Sequence, residues 1–368
     1  MAVYIISFIL NMFVGILLLG SVPSRATDKS KRIYLVITTL QLGLICGFRS
    51  LSVGWDTPTY FEEWSIHLPD DFFQLKQYTG RFELGFLYFT TLIKVLGGNF
   101  QIFLIISSLF TMGSASIFIY RHSSNVLLSV FILICFPFFY SSFDIIRHFL
   151  AVSFILLGYK YVVKRKPVMF ALFVIGAFLF QKSCIILGLV YFLPVISFNK
   201  KFLLCTLIIT IVISFAQEFV LNSSIVGYLG YKMDSYDGWF GVDAGGTKTA
   251  LMYVIIAIIA YLAYTNKKYN DVKYNTAMVV CIIVCAFAII YTRNRMIVRL
   301  LMAFIAFFAI YVPELLSYDF VKNYNKHKYI FLSFIVIGLM YHGFMLLSSW
   351  QKVVPYLPYW NRTSLGMF

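Results

Sequence analysis

What most constrains this chain is a succession of long apolar runs separated by short, basic connections. They fall at roughly 3–20, 33–48, 101–120, 126–142, 146–163, 168–181, 184–198, 202–221, 249–265, 276–291, 297–313 and 329–349. With 61% hydrophobic residues and only 12% charged ones, a soluble globular domain is excluded. The expectation is an all-α polytopic integral membrane protein of about twelve transmembrane helices, one transmembrane domain over residues 1–368. The run from Val3 to Gly20 has no basic residue before it, so it reads as a retained span and not a signal peptide. A net charge of +15 would suggest nucleic acid in a soluble chain. Here it is expected to hold loops on the cytoplasmic side, and no nucleic-acid partner is expected.

One apolar stretch is ambiguous. Leu84 to Gly97 has about fourteen residues, contains Lys94 and ends in Gly97-Gly98, so it reads as interfacial or re-entrant. Charge counting tests this. If it does not cross, sixteen basic residues share one side in short loops, and eleven lie on the other side in longer ones. If it crosses, the split becomes twelve against fifteen in the wrong sense. The positive-inside rule selects the first arrangement, with both termini outside. Two long outer loops follow from it: 49–100, carrying interfacial or re-entrant helices, and 222–248, rich in Gly, Tyr and Asp. All six cysteines lie in or at the ends of apolar runs, and the five histidines lack metal-ligand spacing. Neither a disulfide framework nor a metal site is expected.

The first outer loop opens with FRSLSVGWDTPTYFEE at residues 48–63. Arg49 stands where a span should exit, followed by a turn, Trp55, Asp56 and a helix start at Thr57-Pro58, with Thr59 and Glu62 at capping-box spacing. Asp56 either caps that helix or serves as a functional carboxylate. Further arginines cluster at span ends on the outer side: Arg81, Arg147, Arg293, Arg295 and Arg299. They either pair with carboxylates, as Arg147 could with Asp144, and snorkel, or they line a pocket for a phosphorylated lipid. Guanidinium groups match phosphate oxygens bidentately, which favours a diphosphate. Only 33 residues separate Lys164-Arg165-Lys166 from Lys200-Lys201. A tight hairpin bending at Gln181-Lys182-Ser183 would keep both clusters on one side and carry Gln181 and Lys182 toward the arginines.

FRSLSVGWDTPTY, RFELGFLYF, SSFDIIRHFLAVSFIL, AFLFQKSCIILGLVYFLP, a span containing Arg299 and VVPY near the end resemble the EpsG family. That family groups with Wzy-type polysaccharide polymerases and GT-C-like membrane glycosyltransferases. Gln181 departs from the pattern, which often has a histidine before the Lys-Ser pair. The resemblance implies glycosyl transfer at the outer face of the bacterial cytoplasmic membrane, with polyprenyl diphosphate-linked oligosaccharide as donor and acceptor. Capsule, exopolysaccharide or O-antigen would be the product, and membrane lipid and other polysaccharide-export proteins the partners.

On that reading Asp56 first, and Glu83 second, takes the acceptor proton. Arg49, Arg81, Arg147, Arg293, Arg295 and Arg299 hold the diphosphate and stabilise charge on the leaving group. Trp55, Tyr60, His148, Gln181 and Lys182 contact substrate, with Trp239 a further candidate for stacking on sugars. No paired carboxylate is evident beside Asp56, and neither a metal nor another cofactor is expected. The alternatives are transfer of a single sugar from a polyprenyl monophosphate, and transport or flipping of lipid-linked saccharides.

Overall fold

The computed structural model describes residues 1–20, 23, 26–78, 80, 82–221, 246–268, 271–293 and 297–360. Hydrocarbon offers no partner for a backbone N–H or C=O, so a chain this apolar satisfies them within helices. The order is α1 (Ala2–Leu19), α2 (Asp28–Gly47), α3 (Thr57–Glu62), a π turn (Glu63–His67), a 3-10 turn (Gln74–Gln77), α4 (Leu84–Val95) and α5 (Phe100–His122). Then come α6 (Val126–Cys135), α7 (Phe138–Ser141), α8 (Ile146–Val163), α9 (Pro167–Phe180), a 3-10 helix (Lys182–Val195) and α10 (Lys200–Leu221). The last four are α11 (Thr247–Thr265), α12 (Val272–Tyr291), α13 (Val298–Leu316) and α14 (Tyr324–Leu347). Among the described residues there is no strand, only two isolated bridges. Among the described residues seven helices (α1, α5, α8 and α11 to α14) are long and apolar enough to cross a membrane. The protein is an all-α integral membrane protein.

The helices group into two compact units, Met1–Tyr191 with the segment from His342 onward, and Phe192–Tyr341. In the first, α2 packs along α5, and α5 along α8. Gly47 permits the closest approach: a Cβ there would lie 2.8 Å from the Ile105 Cα, so a side chain would push the helices apart. The short helices of the 49–100 segment rest on an aromatic cluster of Tyr60, Trp64, Phe82, Phe86, Phe100 and Phe103. Lys94 ties α4 beneath them, donating to the Leu68 carbonyl at 2.7 Å and to Asp70 at 2.9 Å.

Two of the expected spans take shapes that their hydropathy does not specify. The run 126–142 is broken in two at Pro137, where a helix interior would lose a hydrogen bond and clash with the ring. The hairpin bends at Gln181, which is extended between α9 and the 3-10 helix. A 3-10 helix rises about 2.0 Å per residue against 1.5 Å for an α-helix, so the fourteen residues of Lys182–Val195 reach about 28 Å instead of about 21 Å. By length alone that reach approaches a hydrocarbon core of about 30 Å.

α4, with twelve residues, is only about 18 Å long. On the charge-based topology it does not cross. Single cysteines at Ser123 and at Thr247 are therefore expected to react with impermeant thiol reagents from inside and from outside, respectively. Labelling of Ser123 from outside, or of Thr247 from inside, would reverse the assignment.

In the second unit α12 packs against α10, α11 and α13. Its connections at 266–268 and 317–323 are tied together by Lys268 N–H to the Phe320 carbonyl (2.8 Å) and Lys322 N–H to that of Asn266 (2.7 Å). Lys267 is buried there and donates to the carbonyls of Ser317 and Asp319.

Candidate active site

The turn after α2 is held from three directions. Arg49 is 1% exposed, and its guanidinium donates to the carbonyls of Cys46 (2.5 Å) and Phe143 (2.8 Å), with Thr57 Oγ1 at 3.4 Å. One side chain thus staples the end of α2, the start of α3 and the segment before α8. The C-terminal segment pairs along the same turn: Ser50 N–H donates to the Leu357 carbonyl at 2.8 Å, and Tyr359 N–H to that of Phe48 at 2.9 Å. Tyr4 reaches the Val353 carbonyl at 2.8 Å, and Tyr356 that of Ile45 at 3.0 Å. Gly54 is obligatory, with φ +95° and a Cβ position only 3.1 Å from the Phe143 carbonyl oxygen.

On this turn Asp56 meets a second carboxylate. Asp144 is 5% exposed and accepts the Asp56 backbone N–H at 2.6 Å, and that of Trp55 as well. Burial first, and the Asp56 charge second, push the Asp144 carboxyl up to about 7, while Arg49 pulls the other way. The half-buried Asp56 occupies the N-cap position of α3, but its side chain makes no capping bond. Thr59 and Glu62 therefore lie inside the helix, and the expected capping box is not formed. Trp55 is exposed, with the Lys352 ammonium 5.2 Å from its ring centre.

A second cluster adjoins the first along α3 and α8. Glu83, just before α4, pairs with Arg147 in the first turn of α8 at 2.6 Å, their side chains 10% and 16% exposed. Its other oxygen accepts the Lys182 N–H at 3.1 Å, so the pair also fixes the hairpin bend. Arg147 lies 4.7 Å over the Phe82 ring, and its Nε is buried with no hydrogen-bond partner among the described residues. Tyr60 stacks on Phe82, and burial pushes its hydroxyl pKa up.

Several site residues expected from the sequence meet here: Arg49, Trp55, Asp56, Tyr60, Glu83, Arg147 and the backbone of Lys182. Gln181 is buried beside Ser183, and His148 lies 3.3 Å from the Cys184 sulfur, close by on the same elements. Three assignments need revision. The Arg49 guanidinium is engaged by protein carbonyls and not presented for a phosphate. Tyr60 turns its ring into the aromatic core, which leaves no face for a sugar. The ion-pair partner of Arg147 is Glu83 and not Asp144. The expectation that Asp56 lacks a neighbouring carboxylate is also corrected, because Asp144 fills that place. Its signal was present in the SSFDIIR motif, but only the fold brings it across 88 residues to Asp56.

In the second unit Arg293 lies 4.5 Å over the Phe215 ring, and Arg299 is half-buried in the first turn of α13. Arg81, Trp239 and Arg295 lie outside the described residues, as does most of the 222–248 loop. Among the described residues no three His, Cys, Asp or Glu side chains gather into a metal site.

The sequence pattern of one known family, the EpsG family, matches residues 32–359. No curated protein and no solved structure matches the chain.

Proposed function

The chain belongs to the EpsG family of Wzy-like polysaccharide polymerases, and we propose that it joins polyprenyl diphosphate-linked oligosaccharides at the outer face of the bacterial cytoplasmic membrane. Twelve crossings in a GT-C-like arrangement carry the site. The observation that supports this reading is the pairing of a buried and a half-buried carboxylate, Asp144 and Asp56, beside an arginine with an unused donor.

Asp56 is the base. It takes the proton of an acceptor hydroxyl as that oxygen bonds to the anomeric carbon of the donor sugar. The bond from that carbon to the diphosphate breaks through an oxocarbenium-like state, and polyprenyl diphosphate leaves with the electron pair. Arg147 meets the developing charge with its guanidinium, held in orientation by Glu83. Arg81 is proposed as a further diphosphate contact, and Trp55 as the sugar platform. Arg49 supports the turn and does not touch substrate. Glu83 is a positioning residue.

Asp144 makes Asp56 a stronger base. Once ionised, its charge raises the proton affinity of Asp56, and its oxygen fixes the backbone that carries Asp56. The rate of glycan elongation should therefore rise as pH passes about 7, where Asp144 ionises. Asp144→Asn keeps the shape and removes the charge. It is expected to cost about tenfold in rate, from a weakened charge-assisted hydrogen bond, and to abolish the limb near pH 7. An unchanged pH profile in that variant would remove Asp144 from the mechanism.

A further inference from the structure

A crevice of about 610 Å³ lies in the second unit, among α10, α11 and α12, apart from everything assigned above. One wall is the stretch of α11 from Val254 to Thr265, facing Leu203 on α10 and Ile282 on α12. The eleven residue steps along that wall make about 16 Å, close to half of a hydrocarbon core of about 30 Å, so the crevice is one leaflet deep. It is open to the bilayer: Leu203 is 44% and Ile258 54% exposed.

Its Thr265 end is polar and basic. Phe198 packs edge-on against Tyr264, which brings Lys200, at the start of α10, to that end of the groove. Lys322 donates to the Thr265 carbonyl at 2.9 Å. Both lysines are exposed, and no acidic residue lines the crevice. The neighbouring Lys267 is not available, being buried and bonded to carbonyls.

We infer that this groove binds one anionic phospholipid, its phosphate at Lys200 and Lys322 and one acyl chain lying along α11. The chain itself gains little from the groove, since bilayer and wall are equally apolar. Selection therefore falls on the headgroup. Two ammonium groups close to one anionic phosphate favour it over a zwitterionic lipid by about tenfold or more. On the charge-based topology this is the inner leaflet, where the short basic loops lie.

The test uses the full-length protein, purified and presented with equal amounts of phosphatidylglycerol and phosphatidylethanolamine, with retained lipid read by native mass spectrometry. One phosphatidylglycerol is expected to stay bound, in at least tenfold preference. Lys200→Gln with Lys322→Gln, which is neutral and close in size, should erase the preference, whereas Lys328→Gln on α14 should not. Ile258→Trp, filling the groove, should lower retention of both lipids, with melting temperature checking that the fold persists. Equal retention of the two lipids, a preference that survives the double variant, or retention of an isoprenoid phosphate in place of phospholipid would overturn the inference.

Discussion

Asp56→Asn is expected to leave the protein folded and inserted while slowing glycan elongation by about two to four orders of magnitude, the usual cost of removing a general base. The substitution separates two roles. Asparagine caps helices about as well as aspartate, so a residue that only capped α3 would tolerate the change. The Asp56 side chain makes no capping bond, and its backbone N–H is held by Asp144 whatever the side chain is. Asparagine thus preserves shape and loses only the proton acceptor. Elongation assayed in proteoliposomes against the parent protein, with binding of lipid-linked substrate measured alongside, checks this. A near-normal rate would relieve Asp56 of the chemistry.

The second large effect is expected at the Glu83–Arg147 pair. Removing one partner strands a charge in a mostly buried site, at a cost of about 3–5 kcal/mol, whereas replacing both by neutral groups costs far less. Glu83→Gln alone should therefore lower the melting temperature sharply, and the double variant Glu83→Gln/Arg147→Met should recover much of it. Activity distinguishes the roles. If Arg147 contacts the diphosphate, the double variant regains stability and stays inactive, and Arg147→Lys is also impaired because the bidentate geometry is lost. If the pair serves only the fold, activity returns with stability.

The helices and the family could be read from the chain because both are written in local features: apolar runs, basic loops and short motifs such as FRSLSVGWDTPTY. The bend at Gln181 was legible too, since two basic clusters so close in sequence require the chain to turn. What stayed hidden depends on partners far apart. Asp144 reaches Asp56 across 88 residues, and Glu83 reaches Arg147 across 64. An arginine at a span end could hold a phosphate or a carbonyl, and the acceptors that claim Arg49 are backbone atoms of Cys46 and Phe143, which no side-chain pattern marks. Tyr60 departs from its sequence pattern for a related reason. Aromatics at an interface read as a sugar platform until Phe82 covers the ring.

The most direct measurement follows purified protein in liposomes supplied with a polyprenyl diphosphate-linked oligosaccharide as the sole substrate. The expected result is a ladder of glycans differing by one whole oligosaccharide, with one polyprenyl diphosphate released for each bond formed. Addition of a single sugar from a polyprenyl monophosphate, or movement of intact lipid-linked saccharide across the bilayer with no new glycosidic bond, would contradict it.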